Sequence, residues 1–413
     1  MLHKLLLIIL TTLIYAAVIV PSVILTQTAA KYCDRRRYGE VFLISVGAVI
    51  LPCVLAAFRG IEVGVDVQVY AEPVYRIALK TDSLWDLLNA GTRYEPGYLT
   101  IAYIAAKLVG SFHALLFLTQ VLINVPVYIA VLKLRRFTPP WASMLCFYLF
   151  FYIETFNIMR QGIAVAFVFL GFAYLTEGDI KGTLIMTVIG ELFHSTAVIG
   201  LALFLFLIYV GRTKSKKVRV GMILLITVAV PLAMKYWVQI LLFVSGLGII
   251  KARYANYAVY MVKTGYFSAL FMLNYLEMLA RWFGVAIPFI FARREDRSLR
   301  ELAARLKNPF YHRQGIGDIN YLLLLGTFVS AMIYSAVMVF LHSSYGYRVS
   351  FYIEMLFILW MPSLLKKDKR MSITNIPLRS AVMLGSALAC FMILYMWRGV
   401  HGTRPLYFQL YDF

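Results

Sequence analysis

The chain has 413 residues, of which 62% are hydrophobic and 15% charged. Soluble domains carry roughly 25% charged residues, so this composition excludes a water-soluble globular protein and indicates an integral membrane protein. The net charge of +20 is no signature of nucleic-acid binding, because the basic residues cluster between apolar runs, as cytoplasmic loops do under the positive-inside rule.

A helix needs about 20 apolar residues to cross a bilayer. The chain is expected to be all-α and polytopic, with about twelve spans near 5–27, 41–58, 113–132, 140–156, 160–176, 182–194, 197–211, 219–243, 267–292, 319–341, 350–365 and 379–396. The first run is too long for a signal-peptide core and reads as a retained span. The runs 182–194 and 197–211 are short and meet at Phe193-His194-Ser195. Basic loops fall at KYCDRRR (31–37), KLRR (133–136), RTKSKKVR (212–219), RREDRSLRELAARLK (293–307) and KKDKR (366–370). Taking all five as cytoplasmic places most of the 40 Lys and Arg inside, and every alternate connection and the N-terminus outside. Residues 98–110 (YLTIAYIAAKLVG) would invert that parity as a full crossing. They are therefore read as an interfacial or re-entrant segment on the outer side, where a protein-walled cavity can tolerate non-spanning backbone.

Four scattered cysteines (Cys33, Cys53, Cys146, Cys390) lack CxxC or metal-type spacing, which argues against a disulfide framework or a cysteine metal site. With no internal repeat or soluble segment, 1–413 is expected to form a single transmembrane domain. Glu277 and Arg281 stand at i, i+4 inside a predicted span and are expected to neutralise each other as a structural lock.

The outer connections share a character. FRGIEVGVDVQVY carries Arg59, Asp66 and Tyr70; RYEPGY carries Arg93, Glu95 and Tyr98; NIMRQ carries Arg160 and Gln161. ELFHSTA carries Glu191, His194, Ser195 and Thr196, KARYANY carries Arg253, and SSYGYRVSFY carries Arg348 and Tyr352. Ionisable groups at helix ends cost free energy unless they meet a wet cavity or a partner. Arg160 is thus either an interfacial anchor that snorkels to water or one member of an anion-binding site.

Four of these stretches, RGIEVGVDVQVY, EPGY, MRQGIA and FHSTA, resemble, in order, the motifs of the EpsG family, relatives of the Wzy-type polysaccharide polymerases. They span Arg59 to Ala197. One departure is Val67, where the family pattern has Thr, so Asp66 lacks that neighbour as a hydrogen-bonding partner. The resemblance implies a GT-C-like membrane glycosyltransferase in the bacterial cytoplasmic membrane, with its active site on the outer face. It would join oligosaccharide repeat units carried on undecaprenyl pyrophosphate into exopolysaccharide or O-antigen. A hydroxyl of one unit would attack the anomeric carbon of another, and the pyrophosphate lipid would leave. A flippase and a chain-length regulator of the same pathway are the implied partners.

The residues suit that chemistry. Guanidinium matches phosphate oxygens, and Arg160 beside Gln161 at a helix N-terminus adds N–H donors and a favourable dipole. Arg348 and Arg59 are further candidates for the anion, with Tyr70 and Tyr352 as sugar or substrate contacts. His194 has an intrinsic pKa near 6.5, suited to a general base, and Glu191 three residues earlier would orient it; alternatively His194 caps a helix end. Asp66 and Glu95 are alternative bases or sugar-hydroxyl acceptors. No metal or other cofactor is expected, because the arginines supply the positive charge. A transporter of lipid-linked glycans, an O-antigen ligase or an O-acyltransferase are the competing readings. A transporter would more often show paired repeats and midplane charges.

The parity argument is open to direct test. Single cysteines at Glu95, His342 and Gly402 should react with an impermeant thiol reagent added outside, and cysteines at Ser215 and Asp368 should not. Labelling of Ser215 from outside would overturn the topology, including the reading of 98–110.

Overall fold

The structure, a computed structural model, describes residues 2–64, 66–212, 215–248, 319–341 and 347–363, with isolated positions between 259 and 286. Every regular element among the described residues is helical. Two long helices, α1 (Leu2–Asp34) and α2 (Tyr38–Ala57), are separated by the basic turn in which Arg36 takes a left-handed φ of 58°. A π-helical turn, Val67–Ala71, then runs into α3 (Glu72–Lys80), and α4 (Leu84–Asn89) starts at Ser83, whose hydroxyl accepts the Asp86 N–H at 3.1 Å. Next comes α5 (Pro96–Tyr103), extended by a π-helical stretch, Ile104–Val109, that ends at Gly110 with φ 72°. These two pieces are 8 and 6 residues long. At about 1.5 Å per residue they fall short of a roughly 30 Å hydrocarbon core.

The chain continues through α6 (Phe112–Lys133), α7 (Pro140–Phe150), α8 (Met159–Thr176), α9 (Ile180–Glu191) and α10 (Ala197–Arg212). Beyond them lie α11 (Lys216–Lys235), α12 (Trp237–Gly246), α13 (Ile319–Leu341), α14 (Tyr347–Glu354) and α15 (Phe357–Ser363). Five helices are long and apolar enough to cross a membrane: those within Ile9–Asp34, Tyr38–Ala57, Phe112–Arg136, Met159–Thr176 and Leu322–Phe340. The pair α11 and α12, bent by 73°, would make a sixth if it acts as one broken span.

Twelve spans were expected, and the described residues hold five or six of span length. The expected span 140–156 stops as a helix at Phe150, because the next residues turn. Thr155 Oγ1 donates to Tyr152 O at 2.5 Å and Phe156 N to Ile153 O at 3.1 Å. Apolar composition alone does not separate such a backbone-bonded turn from a helix. The runs 182–194 and 197–211 become helices of 12 and 16 residues, and 350–365 falls on the short α14 and α15. The expected spans 267–292 and 379–396 lie largely or wholly outside the described residues.

The described residues divide into two compact units, those within 2–201 with 361–363, and those within 202–360. In the first, α1 packs on α2 and α7, α2 on α6, α6 on α8, and α8 on α9. Helix α8 is the enclosed one: 78% of its apolar window is buried, against 28% for α1. Buried polar bonds fix the assembly. Ser22 Oγ donates to Ala48 O at 2.5 Å and lies 2.9 Å from the Tyr148 hydroxyl, tying α1 to α2 and α7. Gln120 donates to Thr155 Oγ1 at 3.1 Å and receives Asn124 Nδ2 at 3.1 Å. This network pins α6 to the turn that leads into α8.

In the second unit α11 packs on α13 and α13 on α14. Here Arg281 is paired with Glu354, at 2.6 Å from both Nε and Nη2 to Oε1. Glu277, its expected partner, lies outside the described residues. Ser350 Oγ also donates to Glu354 at 3.1 Å, and the Arg281 guanidinium sits 3.9 Å from the Tyr334 ring centroid. A carboxylate only 5% exposed depends on these donors. Glu354→Ala should therefore lower stability by about 3 kcal/mol, since it strands a partly buried guanidinium, and replacing both partners with Met should recover most of the loss. Thermal unfolding in detergent measures both. An unchanged midpoint for Glu354→Ala would remove the pair as a structural lock.

Candidate active site

The first turn of α8 is supported from below by the RGIEVGVD stretch. The Met159 N–H has no intrahelical acceptor, as the first four N–H groups of any helix do not, and Asp66 Oδ2 accepts it at 2.9 Å. Asp66 is 4% exposed and Arg59 is fully buried. The Arg59 guanidinium stacks 4.3 Å from the Phe156 centroid, donates to Val63 O at 3.2 Å and to Ala56 O, and reaches Met159 Sδ at 3.7 Å. Burial pushes its pKa down to about 10, against the pull of nearby groups that include Asp66, so it stays charged at neutral pH. Gly64 lets the loop pass close beneath. It has φ 102°, and a Cβ there would lie 2.5 Å from Phe156 O. Arg59 and Asp66 are thus foundations of the α8 entrance.

Arg160 stands on that foundation. Its Nη1 is ion-paired with Glu95, the two side chains being 12% and 19% exposed. Its guanidinium lies 4.5 Å from the Tyr70 centroid and 5.6 Å from the Tyr94 centroid. Arg93 approaches the same two rings, at 4.9 and 5.6 Å, and its Nη2 donates to Val69 O at 3.0 Å. The rings themselves meet edge to face at 6.4 Å. Two guanidinium groups and one carboxylate therefore share one aromatic platform, with a local excess of one positive charge. The buried Nε of Arg160 has no hydrogen-bond acceptor among the described residues, although a buried donor normally finds one. Gln161, the next residue, is 5% exposed.

Glu95 is placed by its own helix. It occupies the N-cap of α5, with Pro96 at the first helical position and no cap bond from its side chain, which leaves the carboxylate for Arg160. The Gly97 N–H donates to Leu192 O at 2.8 Å, and a Cβ on Gly97 would lie 2.7 Å from that oxygen. EPGY is thereby locked against the ELFHST turn. There His194 Nδ1 lies 2.7 Å from Thr196 Oγ1 and 3.4 Å from the Thr196 N–H. Glu191 was expected to orient His194, yet its Oε2 accepts the Val198 N–H at 3.3 Å, in the first turn of α10, and Thr196 is the residue bonded to Nδ1.

Four separate stretches converge, bringing Tyr70, Glu95 and Arg160 into contact, with Gln161 adjacent, Arg59 and Asp66 beneath, and the Glu191–His194 turn joined through Gly97. Arg348 and Tyr352 belong to α14 of the second unit, where Tyr352 is 1% exposed, and Arg253 lies outside the described residues. Sequence reasoning named Arg93 without giving it a role and passed over Tyr94. The signal of Tyr94 was position alone, immediately before the glutamate of RYEPGY.

The close approach at Gly97 yields a test. Gly97→Ala must push the Leu192 carbonyl away, at a typical overpacking cost of about 1–3 kcal/mol. Both the unfolding midpoint and turnover should drop, because Glu95 and the His194 turn would separate. Wild-type values for both would show that this contact positions nothing.

Comparison with curated proteins returned no match, and comparison with solved structures returned none. A family model does match, that of the EpsG family, over residues 41–411. The apolar helices, the four converging stretches and a match that covers most of the chain lead to one assignment: the chain belongs to the EpsG family, a family of Wzy-type polysaccharide polymerases.

Proposed function

We propose that the protein polymerises oligosaccharide repeat units linked to undecaprenyl pyrophosphate, on the outer face of the bacterial cytoplasmic membrane. The observation that carries this reading is Arg160, a guanidinium at a helix N-terminus, aromatic on one side, with a buried Nε that lacks an acceptor. A phosphate oxygen is the acceptor such a donor fits.

The reaction assigns each group a task. The hydroxyl oxygen of one unit forms a bond to the anomeric carbon of the donor as the bond from that carbon to the diphosphate oxygen breaks. The electron pair leaves with the diphosphate, whose growing charge Arg160 stabilises, aided by the N–H donors of the α8 first turn. The hydroxyl proton passes to His194. With Nδ1–H donating to Thr196 Oγ1, Nε2 keeps its lone pair for that proton; the weaker contact from the Thr196 N–H favours the opposite tautomer and opposes this role only slightly. Gln161, Glu95 and Tyr70 contact the donor. The twelve-segment topology and the GT-C-like architecture belong to this proposal, with the short helices α9 and α10 crossing as part of the bundle. So do a flippase that delivers the units and a chain-length regulator.

Removing one preorganised donor to a developing anion typically costs about 3 kcal/mol of barrier, roughly a hundredfold in rate. Arg160→Ala should abolish polymer while leaving membrane insertion intact, and Arg160→Lys should recover little, because lysine keeps the charge and loses the fork. His194→Gln should also stop polymer, since an amide takes up no proton. In each strain single lipid-linked units should accumulate outside. Units trapped inside would favour a transporter, and normal polymer in Arg160→Lys would reduce Arg160 to an interfacial anchor.

A further inference from the structure

Glu95 poses a problem for an anion seat. A carboxylate already sits on Arg160, so any phosphate that arrives must displace it. Breaking a half-buried ion pair is costly unless the newcomer offers more charge or more contacts than the carboxylate it replaces. Arg93 supplies the additional contact. Its guanidinium and that of Arg160 both lie within 5 Å of the Tyr70 centroid, and both lean on Tyr94. Two cations held this close repel each other, and one carboxylate compensates only one of them. A ligand with two linked anionic groups meets both guanidinium groups at once; a ligand with one meets a single guanidinium and still has Glu95 to expel.

We propose that Arg93 makes the Arg160 seat selective for a diphosphate over a monophosphate, while Glu95 sets a cost that either anion must overcome to enter. Glu95 holds Arg160 against weakly charged anions, and Arg93 takes the second phosphoryl group once Glu95 is displaced. The inference rests on the reading of Arg160 as an anion seat and adds what that seat discriminates: lipids that end in a diphosphate from lipids that end in a monophosphate. Exposure supports the division of roles. Arg93 is exposed, with its Nη2 on Val69 O and its guanidinium over Tyr70 and Tyr94, whereas Arg160 is half-buried and ion-paired at the first turn of α8.

The test uses the full chain in lipid nanodiscs with inorganic pyrophosphate and orthophosphate as probes, binding being followed calorimetrically. Wild type should bind pyrophosphate in clear preference to orthophosphate. Glu95→Gln keeps the shape and removes the competing charge. It should tighten orthophosphate and pyrophosphate alike, by about five- to tenfold, and leave the preference unchanged; the size follows from an ion pair that binding no longer has to break. Arg93→Ala, a change at an exposed side chain, should weaken pyrophosphate by a similar factor and leave orthophosphate unchanged. Arg160→Ala should lose both ligands. Pyrophosphate binding equal to wild type in Arg160→Ala would sink the anion-seat reading itself. Loss of both ligands in Arg160→Ala, with an unchanged preference in Arg93→Ala, would leave the seat standing and overturn the selectivity. Weaker binding of both ligands in Glu95→Gln would also overturn it, because Glu95 would then be a support for Arg160 and no competitor.

Discussion

The contact between Arg160 and Glu95 is the constraint on which the site depends. It joins residues 65 apart in sequence, at partial burial, in a chain whose interior offers few other charges. Charges in such a setting persist only when paired or when they face a polar ligand. The surrounding structure serves this one contact. Asp66 caps the helix that carries Arg160, buried Arg59 braces the preceding turn against Phe156, and Gly97 docks the helix that carries Glu95. Tyr70 and Tyr94 confine the guanidinium laterally, and a cation over an aromatic face gains further when water is excluded.

Because Arg160 sits on a preformed helix end, its guanidinium is already in place when a ligand arrives, and the Glu95 carboxylate is the group that has to move. Helix α8 is the most enclosed of the long helices, so its N-terminus is a rigid base for a charge. Arg93 and the His194 turn are the more exposed parts. A fixed cation flanked by more accessible groups suits a reaction in which one substrate's leaving group is held still while a second substrate approaches. Free energy for the chemistry then comes from electrostatic preorganisation, usually the largest single contribution to catalysis.

Much of this was legible in the sequence, and the reasons differ from element to element. The membrane character follows from composition, and helices such as 319–341 match their apolar runs because no charged residue interrupts them. The motif residues Arg160, Glu95 and Tyr70 could be picked out as polar groups at one membrane depth, but their pairing could not, since the two partners lie on helices that meet only through packing. Asp66 illustrates the limit. As a bare carboxylate it suited a base or a ligand equally well, and only the position of the Met159 N–H gives it a capping role. Arg281 shows the same thing in the other unit, where spacing singled out the arginine and the fold pairs it with Glu354, 73 residues away. The break after Phe150 was hidden because Phe151, Tyr152 and Ile153 carry the apolar run on into the turn.

The central claim is that Arg160 binds the diphosphate of a lipid-linked donor. The most direct measurement is the ³¹P spectrum of a lipid-linked diphosphate in nanodiscs with wild-type protein, and again with Arg160→Lys. The account predicts that wild type shifts and broadens the diphosphate resonances, and that Arg160→Lys, folded to the same unfolding midpoint, leaves them near their protein-free positions. Equal perturbation by both proteins would contradict it, since the fork geometry of Arg160 would then make no contact with the anion.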